Sequence, residues 1–149
     1  MTEEVLEDGW FHTGDLGRVL PDGRVRITGR LKNMIATAAG KKIYPEEVEL
    51  VLANSPYILE VMVTGGLDRV PGDREEVHAY LYPNRVALEA LARSQGKPCD
   101  DAFIEHVLRA EVDSRGEALA PYKRVKKVIV RTTEFPKTTT GKLRRQPPG

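Results

Sequence analysis

Cysteine is nearly missing from this chain: Cys99 stands alone among 149 residues. An internal disulfide is therefore impossible, and nothing beside Cys99 suggests a metal cluster or a His-assisted nucleophile, so it is read as an ordinary thiol of a reducing, cytoplasmic compartment. Long apolar runs are missing as well. No stretch approaches the length of a bilayer-spanning helix, and Met1 to Asp8 is acidic where a secretory signal would be basic and then apolar. Aromatic residues are scarce where positive charge is densest: residues 121–149 hold only Tyr122 and Phe135, too few to stack a run of nucleic-acid bases. No internal repeat is evident. At 40% hydrophobic and 30% charged residues, the chain fits one ordinary domain with a modest core and has no room for a second full one.

What is present is a strong charge asymmetry. The net charge of +1 conceals a segment, 121–149, with nine Lys/Arg against Glu134 alone, so it carries +8 and the preceding 120 residues carry −7. A segment this basic meets an anion, for which nucleic acid, an acidic membrane surface and a nucleotide phosphate all qualify, or else it is a solvated basic surface.

Arg18–Leu20 and Arg24–Thr28 flank Pro21-Asp22-Gly23, a turn that predicts a β-hairpin. Pro45-Glu46-Glu47 opens a helix with Val48, Val51 and Leu52 on one face, since proline loses no hydrogen bond in a first turn and acids suit the positive helix end. Ile58–Thr64 and Glu75–Tyr82 read as neighbouring strands across a loop containing Gly65-Gly66, Pro71 and Gly72. Helical spacing follows Asn84 (Ala87, Leu88, Leu91, Ala92) and Asp100 or Asp101 (Phe103, Ile104, Val107, Leu108, Val112). Pro121 stops that stretch, Val125–Val130 reads as a strand, and Glu134–Gly149 reads as a polar tail. The order β, α, β, β, α, α, β predicts an α+β fold, a small sandwich of a short mixed sheet with helices, preceded by a separate hairpin.

Three segments carry chemistry. In Gly9-Trp10-Phe11-His12-Thr13-Gly14-Asp15-Leu16-Gly17, the Asp15 carboxylate can accept hydrogen bonds from two adjacent hydroxyls, as a ribose diol offers, or it is an Asx-turn residue. Trp10, Phe11 and His12 are read as local packing around the turn. The second segment runs from Gly29 to Glu49. Arg30 and Lys32 end the hairpin strand, where they serve a ligand or are simply solvated cations. Gly40, in Ala38-Ala39-Gly40-Lys41-Lys42-Ile43, permits close backbone approach to a slender ligand, or it is a turn glycine. The third segment is Pro136-Lys137-Thr138-Thr139-Thr140-Gly141-Lys142. It is not a phosphate-binding P-loop, because Pro136 replaces the required glycine and Leu143 the required Ser or Thr. Lys142 is either a point cation for a phosphate or an exposed tail lysine.

Together, and in this order and spacing, the three segments resemble the signature motifs of adenylate-forming enzymes, the family of acyl-CoA synthetases, peptide-synthetase adenylation domains and firefly luciferase. The details most resemble medium- and long-chain fatty acid–CoA ligases. The resemblance implies the carboxy-terminal part of such an enzyme. Residues 1–31 would end a large amino-terminal domain, Lys32 would be the hinge, and 33–149 would form a mobile lid. It further implies Asp15 and Arg30 at the nucleotide, Gly40 and Lys41 at CoA, and Lys142 as the catalytic lysine of adenylation, with ATP, Mg²⁺ and CoA bound mainly by the amino-terminal domain. Fatty acid and that domain are the remaining partners; nucleic acid is not one, and peripheral membrane contact stays open. The alternatives are a fatty acyl-AMP ligase or peptide-synthetase adenylation domain that loads a carrier protein, and a non-enzymatic α+β module whose basic segment docks on nucleic acid or acidic lipid.

Overall fold

A computed structural model describes residues 6–65 and 76–145. Short strands β1 (Leu6–Glu7) and β2 (Trp10–Phe11) pair ahead of the expected hairpin, β3 (Asp15–Val19) with β4 (Val25–Arg30). Gly23 adopts φ +83°, and its N–H donates to Leu20 O at 2.9 Å, which closes the Pro21-Asp22-Gly23 turn. A further ribbon follows that periodicity did not reveal, β5 (Ile35–Ala36) with β6 (Lys42–Ile43).

Helix α1 (Pro45–Leu52) starts on its proline with Glu46 and Glu47 in the first turn, and it buries Val48 and Leu52 completely. Strand β7 (Ile58–Thr64) has the predicted bounds, whereas β8 (His78–Pro83) begins later than expected; Glu75 and the Gly66-to-Gly72 part of the loop lie outside the described residues. Asn84 caps α2 (Arg85–Ser94) by accepting from the Ala87 N–H at 3.3 Å. Asp100, of the two candidates, caps α3 (Asp101–Gly116) by accepting from Phe103 N–H at 2.8 Å. Each cap contributes about 1 kcal/mol. Helix α3 ends at Gly116, before Pro121, which instead opens a 3₁₀ turn leading to β9 (Lys127–Val130).

Strands β7, β8 and β9 form a mixed sheet in that order, with β7 and β8 antiparallel (Val61 opposite Leu81) and β8 and β9 parallel (Tyr80 opposite Ile129). Alternation along the strands creates two apolar faces. Val61, Val63, Ala79 and Leu81 pack under the helices with Val48, Leu52, Leu88, Ile104, Leu108 and Val112. Met62 and Tyr80 face the other way, where Phe135 covers them and Leu143 packs alongside. This corrects the expectation of a polar tail after Glu134: the exposed apolar face of the sheet requires a cover, and Phe135, only 3% exposed, supplies it. No helix among the described residues is long and apolar enough to cross a membrane.

Candidate functional site

A cleft of about 1100 Å³ opens between the β3–β4 hairpin, helix α1 and the segment 138–145. Asp15, Arg30, Lys32 and Lys142, separated by up to most of the chain, all line it; Gly40 and Lys41 do not.

Asp15 and Arg30 are directly opposite in the β3–β4 register, and the Arg30 Nε–H donates to Asp15 Oδ1 at 3.0 Å. The turn before Asp15 depends on Gly14, at φ +72°, and the Asp15 N–H donates to Thr13 Oγ1 at 3.1 Å. Asp15 is thus a strand residue whose carboxylate faces Arg30, and the Asx-turn reading does not hold. The packing role expected of Trp10 and Phe11 does not hold either, because they are 76% and 66% exposed on the short β1–β2 ribbon, which has too little apolar surface to cover them. His12 Nε2 lies 3.5 Å from Glu7 Oε2.

Lys32 is exposed in a single 3₁₀ turn, Leu31–Asn33, that follows β4 directly. The next residue ties this turn to α1, as Asn33 Nδ2–H donates to Glu46 Oε1 at 2.7 Å. The other oxygen, Glu46 Oε2, is buried without a hydrogen-bond partner and faces Gly29, where a Cβ would lie 3.0 Å from it. Gly29 is therefore required for the hairpin to sit this closely on α1.

Gly40 occupies the tip of the β5–β6 ribbon at φ +73°, and nothing lies within 4 Å of where its Cβ would stand. The turn conformation, not close approach within the chain, is what calls for glycine there. Lys41 is exposed, with its ammonium 5.6 Å from the centre of the Tyr122 ring.

Lys142 sits on a tight turn of its own. Thr138 N–H donates to Lys142 O (2.7 Å), Gly141 N–H to Thr138 O (2.9 Å), and Lys142 N–H to Thr138 Oγ1 (3.2 Å). Gly141 has φ +80°, and the flanking residues Lys137 and Leu143 pair antiparallel. Among the described residues the Lys142 ammonium has no carboxylate partner. The same holds for Arg18, Arg26 and Lys32 in the cleft, so an anion entering it meets cations that are not already neutralised.

Several residues of the basic segment are instead structural. The Lys123 ammonium lies 2.8 Å from Glu47, whose hydrogen bond holds it above the usual lysine range. Lys137 lies 2.5 Å from Glu60 and 3.2 Å from Glu134. Arg145 reaches the Glu49 carboxylate at 2.6 Å and donates to Val63 O at 2.9 Å. Burial nevertheless pushes the Glu49 carboxyl above the ordinary glutamate range, outweighing Arg145 and the Val63 N–H, which draw it down. The ion pairs these acids make were missed by sequence reasoning. The one available signal was Glu60, a charge inside the otherwise apolar run Ile-Leu-Glu-Val-Met-Val. No group of three or more His, Cys, Asp or Glu that could hold a metal ion occurs among the described residues.

A family model described as "AMP-binding enzyme C-terminal domain" matches residues 47–142. Indoleacetate–CoA ligase of Aromatoleum aromaticum is 34% identical over 141 residues, which cover 95% of this chain and 24% of that protein. Fatty acid–[acyl-carrier-protein] ligase ScoC of Streptomyces coeruleorubidus is 46% identical over 123 residues, covering 72% and 22%. In structure, the chain is similar to o-succinylbenzoate CoA synthetase (MenE) of Bacillus subtilis in complex with the acyl-adenylate OSB-AMP. The TM-score is 0.68 at 30% identity, over 95% of this chain and 24% of that one. The chain spans about a quarter of the length of these relatives.

Proposed function

Since the chain belongs to the AMP-binding enzyme C-terminal domain family, we propose that it is the mobile catalytic lid of an ATP-dependent fatty acid–CoA ligase. In the first half-reaction a carboxylate oxygen attacks the α-phosphorus of ATP, the acyl–phosphate bond forms, and pyrophosphate leaves. In the second, the sulfur of CoA attacks the acyl carbon and AMP leaves. The observation that carries this reading is Lys142, an ammonium without a carboxylate partner among the described residues, in the same cleft as Asp15.

Attack of one anion on another builds charge at phosphorus, and a preorganised cation in a site that excludes water lowers that barrier. Lys142 supplies it. Asp15 accepts from the ribose hydroxyls, and Arg30 beside it fixes the carboxylate and adds positive charge. Gly40 and Lys41 belong to the second half-reaction, in which residues 33–149 rotate about Lys32 and bring the β5–β6 turn to the pantetheine arm of CoA. Residues 1–31 end the amino-terminal domain of the same polypeptide, which binds most of ATP, its magnesium and the acyl chain. The exposed Trp10, Phe11, Val19, Val25 and Ile27 provide an apolar surface for that domain to cover. The enzyme works in the cytoplasm.

The test uses the full-length polypeptide. Lys142→Ala is expected to slow fatty-acid-dependent ATP–pyrophosphate exchange roughly 100- to 1000-fold. Conversion of supplied acyl-adenylate to thioester should be nearly unchanged. Undiminished exchange would refute the assignment. A second reading of the acceptor draws on the 46% identity to ScoC, named as a ligase of fatty acid to acyl-carrier protein. Thioester yield with CoA against that with a phosphopantetheinyl carrier protein separates the two.

A further inference from the structure

Lys142 can act only if its turn is held at one place on the lid, and the turn has almost no apolar anchor of its own beyond Phe135 and the half-buried Leu143. Both limbs are fastened by charge instead. On the entering limb, Glu60 of β7 accepts from the Phe135 N–H at 2.9 Å and pairs with the Lys137 ammonium at 2.5 Å. On the leaving limb, Arg144 N–H donates to Pro136 O at 2.8 Å, and then Arg145 crosses to α1 and β7. One guanidinium nitrogen lies 2.6 Å from Glu49 and 3.6 Å from Glu46 Oε1, and the other donates to Val63 O at 2.9 Å. Glu49 completes the clamp by accepting from the Val63 N–H at 2.9 Å. A planar fork is what lets one side chain hold a carboxylate and a carbonyl in fixed directions, a geometry an ammonium does not reproduce.

Resting on the function proposed above, we propose that Arg145 is a positioning residue for adenylation. Clamped to Glu49 and Val63, it fixes the end of the turn that presents Lys142 to the cleft, and it touches no substrate itself. Arg145 lines the same cleft, yet its charge is already spent on Glu49 and Glu46, which distinguishes it from Arg18, Arg26, Lys32 and Lys142, none of which has a carboxylate partner among the described residues.

The experiment compares Arg145→Ala, Arg145→Lys, Lys142→Ala and the Arg145→Ala/Lys142→Ala double variant in the full-length polypeptide. The readouts are ATP–pyrophosphate exchange and thioester formation from supplied acyl-adenylate. A misplaced reacting group costs up to about 100-fold. Arg145→Ala should therefore slow exchange roughly 10- to 100-fold, in kcat more than in the KM for ATP, and leave the second half-reaction within about twofold. The double variant should be no slower than Lys142→Ala, because a residue that acts through the lysine has nothing left to lose. Arg145→Lys should recover only part of the rate, and it replaces the alanine variant as the readout if the latter does not fold. Equal loss in both half-reactions, or additive loss in the double variant, would show a merely structural role and overturn the proposal. So would wild-type exchange in Arg145→Lys and Arg145→Ala while Lys142→Ala is slow. If Lys142→Ala itself exchanges at the wild-type rate, the proposed function fails first, and that result is separate from any effect at Arg145.

Discussion

The two turns that carry Lys41 and Lys142 are built alike. Thr37-Ala38-Ala39-Gly40-Lys41 and Thr138-Thr139-Thr140-Gly141-Lys142 share threonine at the first place, glycine at the fourth and lysine at the fifth. Their hydrogen bonds match one for one: Thr37 N–H to Lys41 O at 2.9 Å, Gly40 N–H to Thr37 O at 2.9 Å, and Lys41 N–H to Thr37 Oγ1 at 3.1 Å repeat what Thr138, Gly141 and Lys142 do. The glycines have φ +73° and +80°. What differs is the anchorage. The first turn stands on Ile35 and Ile43, 2% and 0% exposed in the main core, whereas the second is strapped to the sheet by Glu60 and Glu49. Local sequence determines the shape of each turn; contacts far along the chain determine where its lysine is delivered.

The largest expected effect comes from cutting the apolar anchor. Ile43→Ala empties a fully buried site and should destabilise the chain by about 2–5 kcal/mol in urea unfolding. A loss below about 1 kcal/mol would mean that the first turn does not depend on the core. Next come the glycines, where space is open and only the positive φ resists a side chain. Gly40→Ala and Gly141→Ala should cost a similar amount, about 1–2 kcal/mol each. In the full-length polypeptide, and on the function proposed above, their functional effects should diverge, Gly141→Ala slowing pyrophosphate exchange more and Gly40→Ala slowing thioester formation more. Identical profiles in the two assays would erase the distinction between the turns.

The smallest effect is in pH. Burial raises the Glu49 carboxyl above its ordinary value, so the folded chain binds this proton more readily than the unfolded chain does. The associated stability is fully present below the ordinary glutamate pKa and is lost as pH rises through the raised one. Relative to Glu49→Gln, the native chain should therefore lose unfolding free energy across that window. A pH-independent difference between the two would contradict the assignment, and the Ile43-anchored turn predicts no such dependence.

Much of this was legible because it is local. The Pro21-Asp22-Gly23 hairpin, the proline start of α1, the Asn84 cap, a cap at Asp100 or Asp101 (Asp100 in the structure) and the bounds of β7 each follow from a few neighbouring residues. The convergence of Asp15, Arg30, Lys32 and Lys142 on one cleft accords with motif order, although no single spacing dictates it. Two-residue strands such as β5 and β6 are too short for a period to register. The Arg145–Glu49 clamp joins residues 96 apart, and ion pairs at that separation leave no trace in a linear pattern. The covering role of Phe135 was hidden for a related reason: one phenylalanine in a polar stretch becomes informative only once the bare face of β7 and β8 is seen to need it.

The seam between the hairpin and α1 has a built-in weakness at Glu46. A buried oxygen without a donor costs about 1–3 kcal/mol, and this one faces Gly29, where a Cβ would stand 3.0 Å away. The glycine that lets the hairpin sit this closely on α1 lies three residues before Lys32.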